Sequence, residues 1–252
     1  MAADSAAEWE RFLTARNGDA IAAKEMLAAH VKWRKESLPL PPAAPQIGCN
    51  GMPAFCSFLD CKCKAGSKVL LVLGAMYDNS TITAAEYALA VAAYIDKNIA
   101  RDQPGKFTVL VDARGGDNWP NPRPWSVLPW IKALVSLLTA NFPERLGRLV
   151  IYPVPWVATA VWSAASQLLD ERTAAKCVML SGPAARTEPI PSEISQYVSD
   201  ELLQEMHAFR DRALHPETAP QPAAEAAAAP AVTGKSAEDD GLAKQAAALE
   251  LS

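Results

Sequence analysis

A chain of 252 residues that is 50% hydrophobic and 21% charged can bury one sizeable core, so one main globular domain is expected. Its formal net charge of −4 excludes the basic field that wholesale binding to nucleic acid or to a strongly anionic membrane requires, and leaves only local phosphate contacts. The acidic, alanine-rich stretch from Met1 to Glu10 lacks the basic-then-apolar order of a secretory signal, which points to a cytoplasmic protein.

In chain order, a short helix around Trp9 to Arg16 is followed by Gly18, which can break it, and Asp19, which can cap a second helix. Ala20, Ala23, Leu27 and Val31 recur on that helix at helical spacing. Pro39, Pro41, Pro42 and Pro45 prevent regular structure next, so an extended connecting loop is expected. Val69-Leu70-Leu71-Val72-Leu73 reads as a buried strand. Thr83 and Glu86 form a capping box for a helix whose Tyr87, Val91, Tyr94 and Ile95 share a face. Phe107-Thr108-Val109-Leu110-Val111 is the next strand.

After the turn-rich Gly115 to Pro124, the positions Leu128, Ile131, Val135, Leu138 and Phe142 give an amphipathic helix starting near Pro129. Leu149-Val150-Ile151-Tyr152 is a strand stopped by Pro153 and Pro155. From Trp156 to Leu169 no side chain is ionisable; Val157, Val161, Ala164 and Leu168 mark one helical face, and Trp162 and Leu169 point elsewhere. A helix of this kind needs apolar company nearly all round, yet is shorter than the roughly 20 residues of a membrane span. Cys177-Val178-Met179-Leu180 closes the alternation. Strands apolar on both faces and alternating with helices predict an α/β fold, a mainly parallel sheet with flanking helices.

Tyr197 to Leu214 is expected to return as a charged helix. From about Ala219 the chain is Ala, Pro, Glu, Lys and Ser without a large aromatic, which cannot offset its ordering entropy. The expected layout is therefore a helical lobe over residues 1–40, a connecting loop over 41–66, the main domain over 67–215 and a disordered tail over 216–252, with a frayed helix at Leu242 to Leu251.

Catalytic motifs are missing. There is no dinucleotide-type glycine fingerprint, phosphate loop or nucleophile elbow. The histidines His30, His207 and His215 are expected on surfaces or helix faces rather than in a hydrolase triad. Asp112, at a strand end before Gly115-Gly116-Asp117, is where a doubly wound enzyme would bind something; a capping carboxylate in a turn-rich loop is the simpler reading and the one expected. The five cysteines read as reduced thiols. The spacing of Cys49, Cys56, Cys61 and Cys63 does not repeat the paired gaps of common zinc sites, so no metal is expected. Trp119, Trp125 and Trp130 are expected to pack.

Between Phe142 and Leu180, the order Pro143-Glu144-Arg145-Leu146-Gly147, Pro155-Trp156, Trp162, Leu169-Asp170, Thr173 and Lys176 resembles the core signature of the CRAL-TRIO lipid-transfer family. Leu13 to Glu36, with Arg16, Ala23, Leu27 and Lys32-Trp33-Arg34-Lys35-Glu36, is similar to that family's N-terminal helices, and the likeness runs from about Arg11 to Gly182. The sequence departs from the family at Gly66-Ser67-Lys68-Val69, usually Gly-Arg-Pro-Val, and at Pro153, usually asparagine. The resemblance implies a sheet floor under a mobile gate helix, closing a pocket for one hydrophobic ligand such as phosphatidylinositol. It assigns headgroup contacts to Arg16, Glu144, Thr173 and Lys176, and the gate to Trp156, Val157, Val161, Trp162, Ala164 and Leu168.

The residues themselves agree. Glu144 and Lys176 precede strands that would bring them to one sheet edge if those strands are neighbours. There Lys176 can meet a phosphate, Thr173 can donate from its hydroxyl and Glu144 can accept from sugar hydroxyls. A salt bridge and a helix cap would use the same residue types.

The expectation is thus a non-catalytic, monomeric carrier of a phospholipid or other hydrophobic molecule, with no cofactor beyond the bound lipid and transient membrane contact through Trp156 and Trp162. An α/β enzyme with its site near Asp112 and a protein-interaction module lacking a lipid pocket are the alternatives.

Overall fold

In the computed structural model the described residues are 5–116, 119 and 122–215. Asp117, the side chain of Val157 and the expected tail at 216–252 lie outside them, as do the first residues of the stretch searched for a signal.

Two helices open the chain. α1 (Ala6–Ala15) is capped by Ser5 and α2 (Ala20–Ser37) by Asp19, whose carboxylate accepts from the Ile21 and Ala22 amides. Phe12, Ala23 and Leu27 seal the space between them. The lobe is also tied to the rest of the chain. Glu8, 1% exposed, receives both Nε and Nη2 of Arg101 at 2.9 Å, and Arg11 donates to the Arg101 and Gln103 carbonyls.

Five strands form one sheet in the order β1-β2-β3-β4-β5: β1 (Cys56–Lys62), β2 (Lys68–Leu73), β3 (Phe107–Asp112), β4 (Leu146–Val154) and β5 (Cys177–Ser181). β1 runs antiparallel to β2 and the other pairs are parallel. β1 falls within the stretch expected as a connecting loop. Its register shifts at a bulge between Leu59 and Lys62, where the Asp60 and Cys61 amides donate to the Glu205 carboxylate at 2.7 and 2.9 Å.

The crossovers between successive parallel strands are α3 (Ala84–Asn98), α4 (Leu128–Asn141) and the pair α5 (Thr159–Ser166) with α6 (Glu171–Ala174). The capping box of Thr83 and Glu86 starts α3 as the sequence indicates. Because the strands follow one another in space and such crossovers are right-handed, α3, α4 and α5 must share one face of the sheet. The packing agrees: α3 lies on α4, α4 on α5, and Tyr94 of α3 stacks on Phe58 of β1 at 5.9 Å between centroids. The opposite face is covered by α7 (Asp200–Leu214), whose Leu202, Met206 and Phe209 are buried.

His30 is not on a surface. It is 3% exposed, its Nδ1 lies 3.2 Å from Asn141 Oδ1, and its ring packs between Phe12 and Trp33. Burial lowers its pKa below 6.5; the Asn141 hydrogen bond and Glu8 raise it, Arg101 and Arg34 lower it, and the net shift is downward. A histidine whose folded pKa is depressed holds fewer protons folded than unfolded, so its stability contribution is present above the unfolded pKa and is lost as pH falls from about 6.5 toward the folded pKa. Denaturant unfolding at pH 7.5 and 5.5 is expected to show a smaller stability difference for His30→Gln than for the parent; equal differences would remove His30 from the acid sensitivity.

Candidate functional site: a half-buried apolar face with a charged rim

The register of β3, β4 and β5 sorts their side chains into two faces. Leu110, Val150 and Tyr152 are each 0% exposed on the face under α7. On the α4–α5 face, Val109 stands beside Leu149 and Cys177, and Val111 beside Ile151 and Met179; every one of these is only half-buried. β3 and β4 are interior strands, so a sheet edge does not account for the difference.

α4 behaves in the same way. It reads LPWIKALVSLLTAN, yet its only buried residue is Asn141, with Ile131, Leu134, Val135, Leu137 and Leu138 half-buried. Apolar surface left in water costs about 25 cal/mol per Å², so these strands and α4 are covered less completely than the face under α7.

The charge-free segment after Pro155 forms a short 3-10 turn, Trp156–Ala158, and then α5. The helix is shorter than the expected Trp156–Leu169. Ser166 donates its hydroxyl to the Ser163 carbonyl, and the Leu168 and Leu169 amides bond three residues back rather than four, the tightening that hydroxyl side chains and helix ends favour. The inward pair is Val161 and Ala165, 6% and 4% exposed. Leu168 is displaced outward to 37% by the changed pitch, a departure from the face the sequence indicated. Trp156 is 84% exposed, while Trp162 and Ala164 are half-buried. Trp130 and Trp119 pack as expected, but Trp125 is 59% exposed.

Glu144 and Lys176 do meet. They precede the paired strands β4 and β5, and Lys176 Nζ lies 3.8 Å from Glu144 Oε2. Glu144 adopts φ +57, a left-handed conformation that costs a non-glycine residue roughly 1–2 kcal/mol and is tolerated where the side chain is needed. Thr173, three residues before Lys176, donates its hydroxyl to Asp170 Oδ2 at 2.7 Å, and Asp170 caps α6. That hydrogen bond, followed by burial acting in the opposite sense, leaves the Asp170 pKa lowered.

Arg16 is exposed at the end of α1. The α1 arginine that reaches the loop before β3 is Arg11, which the sequence did not single out. Arg145, 4% exposed, grips the Ala100, Gln103 and Gly105 carbonyls. Burial, and then the nearby Arg11 guanidinium, lower its pKa to about 10.

Asp112 is 2% exposed and fully engaged. Arg114 donates from Nε to Oδ1 at 3.0 Å and from Nη2 to Oδ2 at 2.7 Å, and Arg210 of α7 donates to Oδ2 at 3.3 Å. Both arginines continue into the surrounding backbone, Arg114 to the Glu188 carbonyl and Arg210 to the Gly115 carbonyl. A carboxylate clamped in this way fastens α7 and the segment after β5 to the end of β3. Among the described residues no three His, Cys, Asp or Glu side chains are arranged to hold a metal ion. Cys56 and Cys63 are buried, and the Cys61 thiol is pushed up to about 11, first by its hydrogen bond to Glu205.

The profile of the CRAL/TRIO domain matches residues 59–206, from β1 into α7. The chain belongs to the CRAL/TRIO domain family. Members of this family bind and transfer lipophilic ligands. Among similar proteins, phosphatidylinositol transfer protein CSR1 of Eremothecium gossypii is 35% identical over 63 residues, 25% of this chain and 14% of that protein. Protein real-time of Aedes aegypti is 34% identical over 58 residues, 22% of this chain and 9% of that protein. The crystal structure of Sfh5 superposes with a TM-score of 0.57 at 16% identity, covering 69% of this chain and 63% of that one, a likeness of fold. The chain thus matches under two thirds of the length of each of these relatives. Among the described residues no helix of this CRAL/TRIO protein is long and apolar enough to cross a membrane.

Proposed function

We propose that this CRAL/TRIO protein binds one phospholipid, of phosphatidylinositol type, and transfers or presents it without catalysis. Its acyl chains lie between the β3–β5 floor, α4 and the gate α5, and its headgroup lies at Glu144, Thr173 and Lys176. The carrying observation is the contrast across β3 and β4: Leu110 and Val150 are sealed, while their neighbours Val109, Val111, Leu149 and Ile151 are half-buried beneath α4 and α5. Acyl chains suit such a space, since each methylene leaving water gains about 0.8 kcal/mol. Asp112 supports the non-catalytic reading, because its oxygens are already taken by two guanidinium groups.

The protein works as a cytoplasmic monomer that touches membranes transiently, with no nucleic-acid partner and no cofactor other than lipid. Exchange takes place at the bilayer, where the departing chain never meets water. Trp156 leads the gate and is largely exposed, in keeping with the preference of tryptophan for the membrane interface. Transfer of a fluorescent phosphatidylinositol between donor and acceptor vesicles tests the proposal. The parent is expected to accelerate it well above the protein-free rate and Trp156→Ala to slow it severalfold; no acceleration by the folded parent would overturn the transfer reading.

A further inference from the structure

Three adjacent parallel strands begin beside three charged side chains. Lys106 precedes β3, Glu144 precedes β4 and Lys176 precedes β5. Lys106 Nζ lies 3.5 Å from Glu144 Oε2, the same oxygen that Lys176 approaches at 3.8 Å. Both separations exceed the roughly 2.7–2.9 Å of a tight charge-assisted hydrogen bond, so the carboxylate satisfies neither ammonium fully. Two ammonium groups face the Glu144 carboxylate, a concentration of positive charge in a chain of net charge −4.

The arrangement is braced from beneath. Arg145 Nη1 donates to the Gln103 and Gly105 carbonyls, both at 2.7 Å, and the Phe107 amide donates to the Arg145 carbonyl at 2.9 Å. One buried guanidinium therefore fixes the backbone leading to Lys106 against the backbone that carries Glu144. The Leu149 amide bonds the Lys176 carbonyl at 3.0 Å and ties the third residue to the same edge. Lys106 is the most accessible of the three, its side chain 48% exposed against 23% for Lys176 and 22% for Glu144.

We infer that Lys106 is a specificity-determining residue of the headgroup site. With Lys176 alone, Glu144 and the Asp170 carboxylate behind Thr173 would leave the rim without excess positive charge, and an anionic headgroup would gain no electrostatic advantage. The second lysine adds a positive charge at the carboxylate itself, and this favours a phospholipid whose headgroup carries net negative charge, its phosphate shared by Lys106 and Lys176 and a headgroup hydroxyl donating to Glu144. This rests on the proposed lipid-binding function, and goes beyond it in assigning the choice between anionic and zwitterionic lipids to Lys106.

The test loads the full chain, stripped of lipid, from vesicles of equimolar phosphatidylcholine and phosphatidylinositol, and counts bound lipids by mass spectrometry. The parent is expected to enrich phosphatidylinositol over the vesicle ratio. Lys106→Gln is expected to lower that enrichment by about fivefold, the scale of a partly exposed charge interaction. Lys106→Glu should lower it further, and Lys106→Arg should retain it. An enrichment unchanged in both Lys106→Gln and Lys106→Glu, with lipid still bound, would overturn the inference while leaving the lipid-binding function intact. A parent that loads neither lipid would sink the function itself, and the inference with it. Displacement of bound lipid by glycerophosphoinositol, the same headgroup without acyl chains, as effectively as by phosphatidylinositol would assign the rim to a soluble anion and also overturn the inference.

Discussion

Replacing Val161 with aspartate is expected to lower bound phospholipid at least tenfold while the protein stays folded. Val161 is 6% exposed on the inner side of α5, the side on which the proposed acyl chains lie. In the lipid-free protein α5 is a short helix and can shift to let water reach the charge, so a loss of stability smaller than the loss of loading is expected, and melting measures it separately. With acyl chains in place, the charge must lie against hydrocarbon or take up a proton, and either outcome costs several kcal/mol in the lipid-bound state. A tenfold loss needs only about 1.4 kcal/mol. Val161→Leu keeps the apolar face and is expected to load as the parent does. Mass spectrometry of loaded protein together with thermal melting separates the outcomes. Normal loading by Val161→Asp would mean that the pocket lies elsewhere; a variant that fails to fold while Val161→Leu behaves normally would mean that α5 rests on solid core.

The largest stability effect is expected at Asp112. Its removal in Asp112→Ala leaves the Arg114 and Arg210 guanidiniums, each 6% exposed, buried without their shared carboxylate. Breaking a buried ion pair from one side costs about 3–5 kcal/mol because the remaining charge is uncompensated. In a domain of this size each kcal/mol lowers the melting temperature by about 2–4 °C. The fastening of α7 should loosen first, since Arg210 reaches Asp112 from that helix. An enzyme using Asp112 as a catalytic group would show the reverse, lost turnover with stability intact. Thermal and denaturant melts decide, and a change below about 1 kcal/mol would show that the cluster does not fasten the fold.

Much of the architecture was readable because its signals are local. The capping box of Thr83 and Glu86, the Asp19 cap and the uniformly apolar Val69–Leu73 each act within a few residues. β1 escaped notice because its pairing is completed from far away, with the Asp60 and Cys61 amides met by Glu205, some 145 residues on. The same holds for Asp112. Its position at a strand end was evident, but Arg210 arrives from 98 residues along the chain.

At the rim, the placing of Glu144 and Lys176 before two strands was legible once those strands were taken as neighbours. Lys106 was not, because a single lysine before a strand forms no pattern until β3 is known to lie beside β4. On the gate, hydrophobicity located α5 but not its pitch. Periodicity assigned Ala164 and Leu168 to the inner face, whereas Ala165, four residues after Val161, is buried there and the tightened turn beyond it leaves Leu168 outside. Trp125 was expected to pack on the strength of its size and stands exposed instead, since aromatic bulk alone does not say which surface it meets.

On the proposed function, the half-buried apolar surface of the β3–β5 floor, α4 and α5 is covered by lipid. The most direct test of that proposal is mass spectrometry of an organic extract of the purified protein, quantified against protein concentration. About one phospholipid per chain is the expected result. Folded protein that yields no lipid, and takes up none from phospholipid vesicles, would contradict it.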